Sequence, residues 1–113
     1  MTDRAGVLAQ LMAVIEDRKT NPPAESYTTA LFRGGVAKIG AKILEEAGEV
    51  IEAAGEPGED GRDHLIAEAA DLIYHLFVML GHRDVRLAEV EAVLARRFGV
   101  SGLDEKASRG SSR

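Results

Sequence analysis

The chain has 113 residues, enough for one domain with a single modest core. Apolar residues make up 45% of it but aromatics only 4%, so Leu, Ile, Val and Ala must build that core, which favours packed helices. The net charge of −5 argues against a nucleic-acid binder, which needs a basic stripe, and the lack of cysteine excludes disulfides and thiolate metal sites.

Val7, Leu8, Leu11, Met12 and Ile15 recur at helical spacing, and Asp17, Arg18 and Lys19 supply a polar end. The first helix is therefore expected from about Asp3 to Arg18. Thr20-Asn21-Pro22-Pro23 breaks it, because proline cannot continue a helix and restricts its neighbour. A loop follows, with Ser26 or Thr28 as N-cap for a short turn through Phe32, and Gly34-Gly35 punctuates the chain again. The second long helix spans about Val36 to Ala54. Ile39, Ile43, Ala47, Val50 and Ala54 form its apolar face, Lys38, Lys42, Glu45, Glu49 and Glu52 lie opposite, and Glu46 falls at the boundary. Gly40 and Gly48 inside this pattern invite close approach by another backbone, although Gly48 can also simply be tolerated. The third helix is expected from about Asp63 to Leu80 and stops at Gly81; its second half is apolar nearly all round, which makes it central and buried. The fourth, from about Leu87 to Phe98, turns Leu87, Val90, Val93, Leu94 and Phe98 inward. Residues 1–98 thus form one all-α domain, and 99–113 a polar tail expected to be mobile.

The N-terminus lacks the apolar block of a signal peptide, and the run Leu72–Leu80, interrupted by His75, is too short to span a bilayer. A soluble cytoplasmic protein with no membrane partner is expected. The thin core further suggests that a second copy covers apolar surface, giving a homodimer.

Chemistry concentrates around the loop at Glu56–Gly61. Glu46 and Glu49 precede it and Glu68 and Asp71 follow it, each pair three residues apart and so on one helix face. An antiparallel hairpin centred between Gly58 and Glu59 sets Glu46 opposite Asp71 and Glu49 opposite Glu68. Four converging carboxylates repel unless protons or cations intervene, and an all-oxygen site suits Mg²⁺ or Mn²⁺. On the second helix alone, a solvated acidic stripe explains the glutamates equally well, with Lys42 pairing to Glu45 or Glu46. The third helix is more telling, because Glu68 and Asp71 interrupt a mostly apolar segment with few basic residues near. His64 and His75 extend the same stripe; His64 reads as solvated and His75 as a satisfied core or interface histidine. A ferritin-like di-iron site would need Glu-x-x-His, and neither Glu46 nor Glu68 has a histidine three residues on.

Glu45-Glu46-Ala47-Gly48-Glu49 with Glu68-Ala69-Ala70-Asp71 resembles the EExxE…ExxD pattern of the MazG-like all-α nucleotide pyrophosphohydrolases. The flanks resemble one family within it, phosphoribosyl-ATP pyrophosphohydrolase: Arg18-Lys19, Pro23–Thr28, Leu31-Phe32, Lys42–Ala47, Glu68–Leu76 and Ser101–Lys106. The resemblance implies a four- to five-helix bundle completed by dimerisation, and Mg²⁺-dependent hydrolysis of 1-(5-phosphoribosyl)-ATP to the AMP compound and pyrophosphate in the cytoplasm. Under it, Glu46, Glu49, Glu68 and Asp71 are metal ligands, and Glu45 orients or deprotonates the attacking water, with a ligand role or plain surface charge as its alternatives. Lys42, and less directly Lys38, would contact phosphate. Ser26, Tyr27 and Thr28 offer hydroxyls to the phosphoribosyl group or base, Arg18 and Lys19 offer charge to its 5-phosphate, and Arg97, Lys106 and Arg109 would close over substrate; each also reads plainly as loop capping or solvated surface charge. Glu52 departs from the family pattern and leaves the metal count open. Two rival readings are a housekeeping nucleoside-triphosphate pyrophosphohydrolase of the same superfamily and a non-catalytic helical dimerisation module.

Overall fold

The computed structural model of the chain describes residues 6–99. They form four helices, α1 (Val7–Thr20), α2 (Tyr27–Ala54), α3 (Gly58–His82) and α4 (Leu87–Phe98), with no strand among the described residues. The expected start near Asp3 and the tail beyond Gly99, with Lys106 and Arg109, lie outside the described residues.

α2 is two helices in one. Ser26 caps its start, its hydroxyl oxygen accepting from the Thr29 N–H at 3.2 Å. At Gly35 the backbone takes φ 69° and ψ −161°, a region closed to side-chain-bearing residues in practice, and the helix path breaks there. The contacts show a reversal. Tyr27 meets His75 and Phe32 stacks on His82, so the first part runs in the same direction as α3. After Gly35, Gly40 lies beside Met79 and Glu46 beside Glu68 and Asp71, so the second part runs antiparallel to α3. The short turn through Phe32 and the long helix from Val36 expected from sequence are therefore both present, joined at the second glycine of Gly34-Gly35.

The core collects Met12 and Ile15 from α1, Leu31 and Ile39 from α2, and Phe77 and Val78 from α3, with Phe32, Ile43, Tyr74 and Met79 packed around them. Each such side chain contributes roughly 1.5–3 kcal/mol by leaving water. α1 is tied to the end of α3 by Lys19, whose ammonium donates to the Gly81 and His82 carbonyls at 3.0 and 2.9 Å and to Asp84 Oδ1 at 2.8 Å. A cation there satisfies carbonyls that the helix end leaves open and complements its dipole. The hydrogen bond from Lys19 holds the Asp84 carboxyl below the usual carboxylate range.

Three expectations need correction. α3 begins at Gly58, five residues early, because Pro57 caps the extended entry and Glu59 and Asp60 suit the positive end of the helix dipole. Its second half is not enclosed: Phe77 and Val78 are buried, but Ile73 and Leu76 face solvent. α4 buries no residue, with Leu94 and Phe98 exposed, because it touches the body mainly at its N-terminal end, where Leu87 packs on the core. By length and composition alone α3 could cross a membrane, as a core helix of its size also can. Buried His75, Phe77 and Val78 in its second half fit the core role.

Candidate active site

The antiparallel second part of α2 and the first half of α3 bring the acidic residues together. Glu46, Glu68 and Asp71 each offer a carboxylate oxygen within 4.8 Å of the others. Glu46 is only 8% exposed, not at the helix boundary as periodicity suggested, because it faces α3. One oxygen of Glu46 and one of Glu68 are buried without any hydrogen-bond partner. Orphaned buried carboxylate oxygens are costly, and a hard divalent cation is the ligand that satisfies them. The donor set therefore fits a metal.

Glu49, expected as a fourth member, lies outside that group of three and borders it. A hydrogen bond with Glu68 pushes its carboxyl above the usual range, burial and the charge of Glu68 add to this, and a hydrogen bond with Glu46 partly opposes it. Glu68 is also approached by His64 Nε2 at 3.6 Å, while His64 Nδ1 lies 2.9 Å from Glu56. His64 is thus half-buried and engaged, not simply solvated, and its pKa is raised first by the hydrogen bond to Glu56. Glu52 is exposed on the His64 side and outside the metal-binding group.

On the other flank stand Tyr27, Lys42 and Glu45. Lys42 Nζ donates to Glu45 Oε2 at 3.4 Å, and this hydrogen bond raises the ammonium pKa. The Tyr27 hydroxyl is raised by burial first, with Lys42 pulling it down and Tyr74, Glu45 and Glu46 pushing it up. Its ring, 52% exposed, stacks against Tyr74 at 6.2 Å. Sequence reasoning missed the link beneath it. His75 Nδ1 lies 2.9 Å from the Asp71 carbonyl, which only accepts, so Nδ1 carries the proton and donates. Nε2 is then free to accept from the Tyr27 hydroxyl at 2.9 Å. Both nitrogens of the buried His75 are used, which makes it a connector and not a ligand. Thr28 and Tyr74 bond through their hydroxyls beside it.

The remaining residues are elsewhere. Ser26 spends an acceptor on its own helix. Lys38 folds its stem over Gly34, two turns from Glu45. Lys19 has all three donors committed at the end of α3. Arg18 lies 4.0 Å from Asp17 at the end of α1, and Arg97 is exposed on α4.

A sequence model for the family described as phosphoribosyl-ATP pyrophosphohydrolase matches residues 8–98. Among curated proteins, the phosphoribosyl-ATP pyrophosphatase of Rhodopirellula baltica is 56% identical over 102 residues, covering 90% of this chain and 85% of that protein. Those of Geobacter sulfurreducens and Novosphingobium aromaticivorans are 48% and 50% identical. They cover 96% and 91% of this chain and 98% and 94% of their own.

Proposed function

This chain belongs to the phosphoribosyl-ATP pyrophosphohydrolase family, and we propose that its reaction runs at the carboxylate cluster of α2 and α3. That reaction is the hydrolysis of 1-(5-phosphoribosyl)-ATP to 1-(5-phosphoribosyl)-AMP and pyrophosphate, the second step of histidine biosynthesis. The observation that carries the assignment of the site is the pair of orphaned oxygens on Glu46 and Glu68 within a group of converging carboxylates.

Glu46, Glu49, Glu68 and Asp71 would hold Mg²⁺, with Mn²⁺ as a substitute. When bound, the cation neutralises phosphate charge and favours departure of pyrophosphate. The chain's own residues do the rest. Glu45, exposed beside the cluster, is placed to orient or deprotonate the attacking water. Lys42 is held in position by Glu45 and can turn its charge to a phosphate oxygen. Tyr27 offers its exposed ring to the nucleoside while its hydroxyl is pinned by His75. The His75–Asp71 hydrogen bond ties that ring to a proposed ligand.

The homodimer remains part of the proposal. Leu44 and Ile51 are 77% and 74% exposed on one stripe of α2, and a Cβ added at Gly48 between them would meet nothing within 4 Å. Such a flat apolar stripe suits the close approach of a second copy. Residence in the cytoplasm, where the nucleotide substrate is made, completes the reading.

The test is pyrophosphate release from 1-(5-phosphoribosyl)-ATP beside a panel of ordinary nucleoside triphosphates, with and without Mg²⁺. Metal-dependent release from the phosphoribosyl compound is expected, far ahead of the panel. Preference for dCTP or dUTP would move the assignment to a housekeeping enzyme. No turnover and no thermal shift with Mg²⁺ or Mn²⁺ would leave a non-catalytic helical module.

A further inference from the structure

We propose that the cleft between the end of α1 and the first part of α2 binds a phosphate monoester, the 5-phosphate at the far end of the substrate, with Arg33 and Arg18 as its cations. The cleft holds about 200 Å³ and is lined by Arg18, Lys19, Pro22, Thr29, Phe32 and Arg33. This inference rests on the functional reading above and adds the residues that recognise the second charged end.

Charge is the first support. Three cations line one small cleft in a chain of net charge −5. They are not equivalent. Lys19 already holds two carbonyls and Asp84, so it lends field but no donor. Arg18 has only the distant contact with Asp17 at 4.0 Å. Arg33 has no ion pair or hydrogen bond among the described residues, and its planar fork matches a phosphate bidentately.

The second support is independent of charge. Only three buried side-chain oxygens lack a partner among the described residues: those of Glu46 and Glu68 in the carboxylate cluster, and the hydroxyl of Thr29, a residue 4% exposed that lines this cleft. Unsatisfied polar atoms thus mark two places, and the substrate has two phosphate-bearing ends. A rotation about χ1 would let Thr29 donate to an oxygen in the cleft.

Placement is the third. The first part of α2 begins at Tyr27 beside Lys42 and the carboxylates and carries Arg33 roughly 9 Å further along its axis. A nucleotide whose anhydride sits at the carboxylates, with its nucleoside at Tyr27, would extend its added sugar phosphate along this segment. A monoester at that distance is beyond reach of the cation held by the carboxylates, so arginine must supply the charge.

The experiment compares wild type with Arg33→Gln and, separately, Arg18→Gln. In steady-state pyrophosphate release, each variant should raise KM for 1-(5-phosphoribosyl)-ATP by about tenfold or more, with a much smaller fall in kcat. In metal-free buffer, ribose 5-phosphate as probe should bind wild type by calorimetry and lose that binding in Arg33→Gln, with Arg33→Lys recovering part of it. Wild-type turnover with unchanged KM in both variants and no binding of ribose 5-phosphate overturns this inference while the functional reading stands. A wild type inert toward the phosphoribosyl compound overturns the functional reading; ribose 5-phosphate binding lost in Arg33→Gln would then still support an anion site in the cleft.

Discussion

The α2–α3 hairpin carries two stripes that invert the usual rule of burial. Glu46 is 8% exposed, whereas Leu44 and Ile51 on the same helix are 77% and 74% exposed. The acidic stripe continues across the hairpin into Glu68 and Asp71, and α3 also exposes Ile66 and Ile73. The Glu46 charge has been taken out of water, with Glu68 half-buried and Asp71 exposed beside it, while aliphatic surface is left in water. Neither arrangement stabilises an isolated chain, since buried carboxylates repel and exposed aliphatics forgo burial. The proposed function would relieve both, with a cation on one stripe and a second copy on the other.

The acidic stripe should break most sharply. Glu49→Gln and Asp71→Asn should abolish metal-dependent pyrophosphate release, a loss of about a thousandfold, while helicity by circular dichroism stays intact. The same stripe should respond oppositely in stability. Glu46→Gln removes a buried charge, so without metal it should melt above wild type, yet lose the rise in Tm that Mg²⁺ gives wild type. A metal-free Glu46→Gln that melts below wild type would mean that the carboxylate is a structural anchor, and the contrast between the stripes would fail.

The apolar stripe calls for a different measurement. Leu44→Asp or Ile51→Asp should weaken self-association by about a hundredfold, since in a two-fold interface each change counts twice at roughly 1.5 kcal/mol per site. Sedimentation equilibrium reads this directly. If both variants keep the wild-type association state, this stripe is ordinary surface and the second copy sits elsewhere.

What could be read from the sequence was local. Residues three apart on a helix share a face, and an antiparallel hairpin fixes which faces meet, so the approach of Glu46 to Glu68 and Asp71 is legible in the sequence, while Glu49 falls outside that group of three. Gly34-Gly35 marked the reversal in α2. What escaped depends on partners far along the chain. Lys19 was read as a phosphate cation, but the carbonyls it caps lie more than sixty residues away. Tyr27 and His75 are 48 apart, and nothing in either neighbourhood announces their bond. Burial of Glu46 was misjudged for the same reason, because periodicity ranks faces within one helix and not which of them a neighbour covers. One missed boundary did carry a signal: Pro57 followed by Glu59 and Asp60 is a helix start, and five residues of α3 were there to be read.

The smallest effect lies where the acidic stripe meets the loop. His64 bridges Glu56 and Glu68, and the Glu56 hydrogen bond raises its pKa above the ordinary value near 6.5. A histidine whose folded pKa is raised lends stability that is fully present below its unfolded value and lost as pH rises through the folded one. Wild type should therefore melt above His64→Gln in mildly acidic buffer, with the gap closing as pH climbs past that raised value. The imidazole is only half-buried, so the gap is small and should shrink further in salt. Saturating Mg²⁺ gives the sharper comparison. If a cation occupies Glu68, it competes with the imidazolium for the same carboxylate, and the pH-dependent gap should narrow. A gap indifferent to metal would place His64 with the loop through Glu56 alone and detach it from the acidic stripe.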